Sequence, residues 1–218
     1  MYCLQCNHMV TATSDLTGLA RIRNAALDGF ARDGVASTSL RDVAKAAGVS
    51  PGLVQHHFVT KAALVEAVGA HVVGLATEAF GDLPAAGTPI EAQQELGDRV
   101  TAFVAERPTA LLYVARAMAE GDKTAAAVFD AFVEIAKGLW QTLADHGLLR
   151  DDADITWAAL HGVTLILGTV LYQAEIGRHL PEPFMTVEEL ERWNAAGNAL
   201  FREGLYRRPP GRARVSKV

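Results

Sequence analysis

The stretch Ser39–Lys61, SLRDVAKAAGVSPGLVQHHFVTK, leaves little freedom in local fold. Ser39 is a helix N-cap, and Asp42 stands at the capping-box distance, an Asp where Glu or Gln is usual. Leu40, Val43, Ala44 and Ala47 recur at helical spacing and give one apolar face. Gly48 supplies the left-handed residue that stops the helix. Ser50 caps the next helix, with Pro51 at its first position, where the missing N–H does no harm. The pair is a helix-turn-helix, with the motif at about 39–58 and its second helix over 51–58. That second helix is too short and too polar to be a packing element. It carries Gln55, His56 and His57 in succession, groups suited to base edges and phosphates. The plainer alternative, a capped corner in an all-α protein, does not explain this polarity.

Composition sets the outer limits. A chain of 218 residues, half of them hydrophobic, can bury one large core or two small ones. No apolar run is expected to reach the ~18–20 residues of a membrane span. The N-terminus lacks a basic region followed by an apolar run, so no cleavable signal peptide is expected. Two cysteines make no disulfide framework, and the expectation is a cytoplasmic protein. The net charge of −5 is unevenly spread. Residues 1–73 hold six basic against five acidic residues, 74–201 eight against nineteen, and 202–218 six against one. The acidic surplus thus lies away from the helix-turn-helix, at the middle of the chain.

Along the chain, residues 1–14 have no helical period and read as a flexible arm. Cys3 and Cys6 form a CxxC beside His8, but a zinc site needs four ligands and no second Cys pair exists. No metal site is expected. A first helix is predicted from about Leu16 to Asp33, with Leu19, Ile22, Ala26 and Phe30 on its apolar face and Gly34 closing it. Its task is to pack beneath the helix-turn-helix. Arg21 and Arg23 either touch phosphates or form a solvated face. Thr60 caps a fourth helix that opens on Lys61, with Leu64, Val65, Val68, Val72 and Leu75 as its stripe. A Lys at a helix N-terminus opposes the macrodipole unless a phosphate sits there.

Residues 81–87 read as a linker. Thr88-Pro89-Ile90-Glu91 is a capping box that opens a helix ending near Pro108, and Pro108 opens the next, to about Glu120. Asp122 caps a long helix ending at Gly147, and Asp152 or Asp154 another to about His179. Thr186 with Glu189 caps a last helix to about Gly204. Residues 207–218 are Pro- and Arg-rich and read as a disordered basic tail. No strand pattern occurs, so the fold class is all-α, with about nine helices.

The ordered set Ile22, Ala25-Ala26, Phe30, Gly34, Thr38 to Ala44, Ala47 to Ser50, Gly52, His57-Phe58 and Lys61 to Leu64 resembles the DNA-binding domain of TetR-family transcriptional regulators over about residues 17–72. The resemblance implies a DNA-binding domain over 15–80 and a ligand-binding and dimerisation domain over 81–206. By position it implies DNA contacts from Thr38, Ser39, Arg41, Ser50, Pro51, Gly52, Gln55, His56, His57 and Lys61. One departure stands out. Most members carry Leu-Tyr where this chain has Val54-Gln55, which removes an aromatic that packs on the DNA backbone and offers an amide that can read adenine.

The resemblance also implies a small, mostly apolar effector and a homodimer built on the last two long helices. Candidate ligand contacts are Phe103, Tyr113, Phe129, Trp140 and Trp157, with Arg116 and His161 as polar groups inside apolar stretches. Gly162, Gly168 and Ala174 suit close helix approach. No nucleophile motif, phosphate loop or metal spacing appears, so neither enzyme nor cofactor is expected. The expected function is a ligand-responsive repressor that binds a palindromic operator as a dimer and is released by its effector. The alternative is a helical small-molecule-binding protein without sequence-specific DNA binding. A more distant rival is an all-α enzyme, which would need His56, His57 and His161 to meet.

Overall fold

The computed structural model describes residues 4–81 and 88–204, with the backbone alone for 4–16, 89, 203 and 204. The described residues form ten α-helices and no strand, so the fold is all-α. In chain order these are α1 (Leu4–Asp33), α2 (Leu40–Ala47), α3 (Pro51–His57), α4 (Lys61–Phe80), α5 (Pro89–Glu106), α6 (Pro108–Ala119), α7 (Lys123–Asp145), α8 (Ile155–Leu171), α9 (Gln173–Gly177) and α10 (Val187–Gly204).

Most helix starts follow local chemistry. The Thr88–Glu91 box is formed, with Thr88 N–H donating to Glu91 at 2.7 Å and Glu91 N–H to the Thr88 hydroxyl at 3.3 Å. The Asp122 carboxylate accepts from Thr124 and Ala125, Asp154 from Trp157, and the Thr60 hydroxyl from Ala63. Three expectations are corrected. Helix α1 begins at Leu4 rather than Leu16, so most of the stretch read as an arm is helical; no Pro or Gly interrupts 4–17, and a helix propagates until something stops it. Helix α8 ends at Leu171 and the chain turns at Tyr172 before the short α9. The Thr169 hydroxyl, bonded back to the Leu165 carbonyl at 2.7 Å, competes with the ladder in that last turn. At α10 the Thr186–Glu189 box is replaced: Thr186 donates to the Pro183 carbonyl, and the buried Glu189 carboxylate accepts from Arg192 at 2.6 Å. The basic tail 207–218 and most of the linker 81–87 lie outside the described residues.

The chain divides into two compact units. One comprises residues 1–75 and 107–131, the other 76–106 and 132–218. In the first, Ile22, Ala26 and Phe30 of α1, Val43, Ala44 and Ala47 of α2, Val54 of α3 and Leu64, Val65, Val68 and Val72 of α4 are buried, together with Leu111, Tyr113 and Val114 of α6. These are the stripes read from the sequence, joined by α6. At Gly69 a Cβ would stand 3.1 Å from Val128 Cγ2, so α4 and α7 approach closely there. Helix α4 is long and apolar enough to cross a membrane by length and composition, contrary to the expectation that no segment would be. Its buried valines are those of a core helix.

In the second unit, α5 and α10 meet at Gly97, where a Cβ would collide with the Asn194 and Asn198 amides. Gln93, buried, donates to the Asn198 carbonyl at 2.6 Å, and Asn194 to Asp98 at 3.2 Å. Burying the Gln93 amide costs little because it has a partner.

Candidate nucleic-acid interface

Both helices of the motif are capped as their sequence dictates. Asp42 N–H donates to the Ser39 hydroxyl at 3.2 Å, and Ser39 N–H returns the bond to Asp42 at 3.1 Å, closing the box. The Ser39 hydroxyl and N–H hold the Asp42 carboxyl below the usual carboxylate range. Gly48 ends α2 with φ 63°, a conformation that an L side chain enters only at a cost. Leu53 N–H donates to the Ser50 hydroxyl at 3.2 Å and opens α3, which ends one residue earlier than expected because Phe58, buried, serves as its C-cap.

The frame is braced by its own cations. Arg21 of α1 donates to the carbonyls of Ala47 at 2.5 Å and Gly48 at 3.1 Å, at the C-terminal end of α2. Such a cation satisfies carbonyls left open by the helix end and meets the negative end of its dipole. Arg21 is thus committed to the frame, a role other than the two read from the sequence. Lys61 donates to the Ala36 carbonyl at 3.1 Å, which ties the start of α4 to the turn between α1 and α2.

On this frame Ser39, Arg41, Ser50, Pro51, Gly52, Gln55 and His56 are exposed, whereas His57 and Lys61 are half-buried. The His56 and His57 rings meet edge-on at 5.3 Å between centroids. Thr38 is corrected: it is buried, its hydroxyl donates to the Gly34 carbonyl at 2.9 Å, and its methyl lies where a Cβ on Gly29 would be. It holds the turn and presents nothing outward. The sequence reading missed Lys45, exposed one helical turn after Arg41; the i, i+4 spacing was the available signal. It also missed Val59, a valine 84% exposed at the corner after α3.

The expected ligand contacts are divided between the two units. Tyr113, Arg116 and Phe129 belong to the first unit, and Phe103, Trp140, Trp157 and His161 to the second. Tyr113 is fully buried against Phe30, with ring centroids 6.0 Å apart. Arg116 donates to the backbone of α1 and to Glu120, so it is spoken for within the fold. Phe103 packs on Phe80 at 5.4 Å, and Trp140 on Phe201 at 5.9 Å, both as core residues. Trp157 is 56% exposed and stacks on the exposed His161 at 5.2 Å. His161 is therefore an outward residue of α8, not one buried in an apolar stretch. Among the described residues no group of three His, Cys, Asp or Glu side chains is placed to hold a metal ion. Cys3 and the side chains of Cys6 and His8 lie outside the described part.

A helix-turn-helix with a short, outward, polar second helix is a form that can enter a DNA major groove. Residues 22–68 match the family described as bacterial regulatory proteins, tetR family. The HTH-type transcriptional regulatory protein RaaS of Mycobacterium tuberculosis is 31% identical over 134 residues, which is 62% of this chain and 55% of RaaS. The chain thus spans about half the length of that relative. Among solved structures, the fatty acid degradation regulator FadR from Bacillus halodurans covers 84% of this chain and 93% of its own at 15% identity, with a TM-score of 0.67. GusR of Salmonella enterica covers 85% and 95% at 23% identity, with a TM-score of 0.61.

Proposed function

We propose that this chain is a ligand-responsive, cytoplasmic DNA-binding repressor, acting as a homodimer on a palindromic operator and released by a small, mostly apolar effector. The observation that carries the reading is α3. It is a capped helix of about two turns that turns Gln55 and His56 outward while Val54 anchors it to the core. Gln55 can read an adenine edge, and His56, Arg41, Ser39 and the Gly52 N–H at the start of α3 suit phosphates. His57 and Lys61 complete the set at its half-buried margin. The family match over residues 22–68 and the likeness to the regulatory protein RaaS support the same reading.

The dimer reading is supported by α8 and α10. Trp157, His161, Leu165 and Tyr172 recur at helical spacing and are exposed, with Gly168 between them and no atom within 4 Å of its added Cβ. Val187 and Leu200 of α10 are likewise exposed. Apolar faces of this kind mark an interface. Two copies joined there would carry two α3 helices to successive major grooves. An effector that prefers a spread form would draw the dimer off DNA.

The test is selection of bound duplexes from a random pool at two salt concentrations, followed by His56→Ala and Gln55→Ala on the recovered site. A palindrome whose enrichment survives the higher salt, weakened by both substitutions, supports the reading. Recovery of random sequence that vanishes with salt leaves only charge-driven contact, and a helical small-molecule binder becomes the better reading.

A further inference from the structure

One face of α6 is given over to the C-terminal end of α1. Tyr113, Arg116 and Glu120 follow at spacings of three and four, so they share that face. Arg116 Nη1 donates to the carbonyls of Ala31, at 3.4 Å, and Arg32, while its Nε donates to Glu120 Oε1 at 3.0 Å. Ala31 and Arg32 lie in the last turn of α1, whose carbonyls have no partner within the helix. The Glu120 carboxylate in turn lies over Gly34, where a Cβ would be 2.7 Å from Oε1. Gly34 has φ 90° and its carbonyl receives the Thr38 hydroxyl, one residue before the Ser39 cap of α2. The contacts form an unbroken series from α6, through the end of α1 and the turn, to the first residue of the helix-turn-helix.

We propose that Arg116 is a positioning residue for DNA binding. It holds the end of α1 from α6 and so fixes, through Gly34 and Thr38, the angle at which α2 and α3 leave α1. The proposal rests on the DNA-binding reading above. Arg116 stands on neither helix of the motif and is half-buried, with Nε and Nη1 engaged within the fold. Its loss therefore costs affinity without removing a phosphate contact. A forked guanidinium can serve two carbonyls and a carboxylate at once, which an ammonium does only in part.

The experiment measures affinity for the selected operator at three salt concentrations for the whole chain, Arg116→Met, Arg116→Lys and Glu120→Gln, each at a temperature well below its melting point. Arg116→Met keeps the stem and removes every donor. It is expected to lower affinity about tenfold or more with the salt slope unchanged, because the slope counts phosphates neutralised. Arg116→Lys recovers a large part of the loss, and Glu120→Gln gives a smaller loss with the same slope. Should Arg116→Met fail to fold, the last two variants carry the test. Wild-type chain that binds no duplex overturns the DNA-binding reading and the clamp with it. If the wild type binds, variant affinities within twofold of it overturn the clamp alone. A flattened slope assigns Arg116 to phosphate contact and likewise overturns it, as does a Lys variant no better than Met.

Discussion

Tyr113 offers the sharpest physical test. Its side chain is fully buried, and among the described residues its hydroxyl has no hydrogen-bond partner. A buried hydroxyl left unpaired costs about 1–3 kcal/mol. Tyr113→Phe removes that oxygen and leaves the ring on Phe30 untouched, so the variant should be more stable by about 1 kcal/mol at neutral pH. For a chain of this length that raises the melting point by about 2–4 °C. A second, independent consequence concerns alkali. Burial, and then the charge of Asp122, push the Tyr113 phenol up to about 12. An acid whose folded pKa is raised favours the protonated fold. Its contribution is complete below the ordinary tyrosine range near 10 and is lost as pH rises towards 12. At pH 11 the loss amounts to about 1.4 kcal/mol, and the Phe variant does not share it. Urea melts of both proteins at pH 8, 9.5, 10.5 and 11 read the two effects together, and subtraction cancels every other titrating group. A Phe variant less stable at pH 8 would show that the hydroxyl is satisfied, and an advantage that stays flat to pH 11 would show that the phenol is not held neutral by its surroundings. Either result refutes the reasoning.

Other outcomes follow from the same geometry. Gly97→Ala should lower the melting point of the second unit, costing about 1–3 kcal/mol, because the Asn194 and Asn198 amides occupy the space a methyl needs; an unchanged denaturation midpoint would mean that α10 yields freely. Ser39→Ala should cost about 1 kcal/mol through loss of the α2 cap, read in the same melts. Asp42 adds a pH dependence in the opposite range to Tyr113. Its lowered carboxyl stabilises the fold above the ordinary carboxylate pKa, and that contribution fades as pH falls through the lowered value, so wild type and Asp42→Asn should converge in acid. Leu165→Arg on the exposed face of α8 should yield monomers in sedimentation at concentrations where the wild type is dimeric; a dimer that persists would move the interface elsewhere.

What the sequence revealed, it revealed through chemistry within one helical turn. The caps at Ser39, Ser50, Thr60, Thr88, Asp122 and Asp154 each join residues two or three apart, and all are formed. The apolar stripes of α1, α2 and α4 were legible for the same reason. Contacts between distant segments were not. Arg116 and Ala31 are 85 residues apart, and no local pattern states that α6 belongs with the reading head. Thr38 was expected at the DNA by its position in the resemblance, which does not state the close approach of Gly29 that buries it. The ligand candidates rest on local pattern alone. Periodicity tells that Trp140 and Trp157 lie on helices, but not that one turns inward and the other outward.

The braces on the helix-turn-helix also bear on the entropy of recognition. A long basic side chain that is free in water gives up its rotamers when it grips a phosphate, at about 0.5–1.5 kcal/mol each. Arg21 and Lys61 have already given theirs up, one to the end of α2 and the other to the turn before it. The groups they hold are neutral carbonyls, which bring no opposing charge. A polyanion approaching this surface meets positive charge whose place was settled when the chain folded, and only the outward side chains, Arg41 and Lys45 among them, have freedom left to lose.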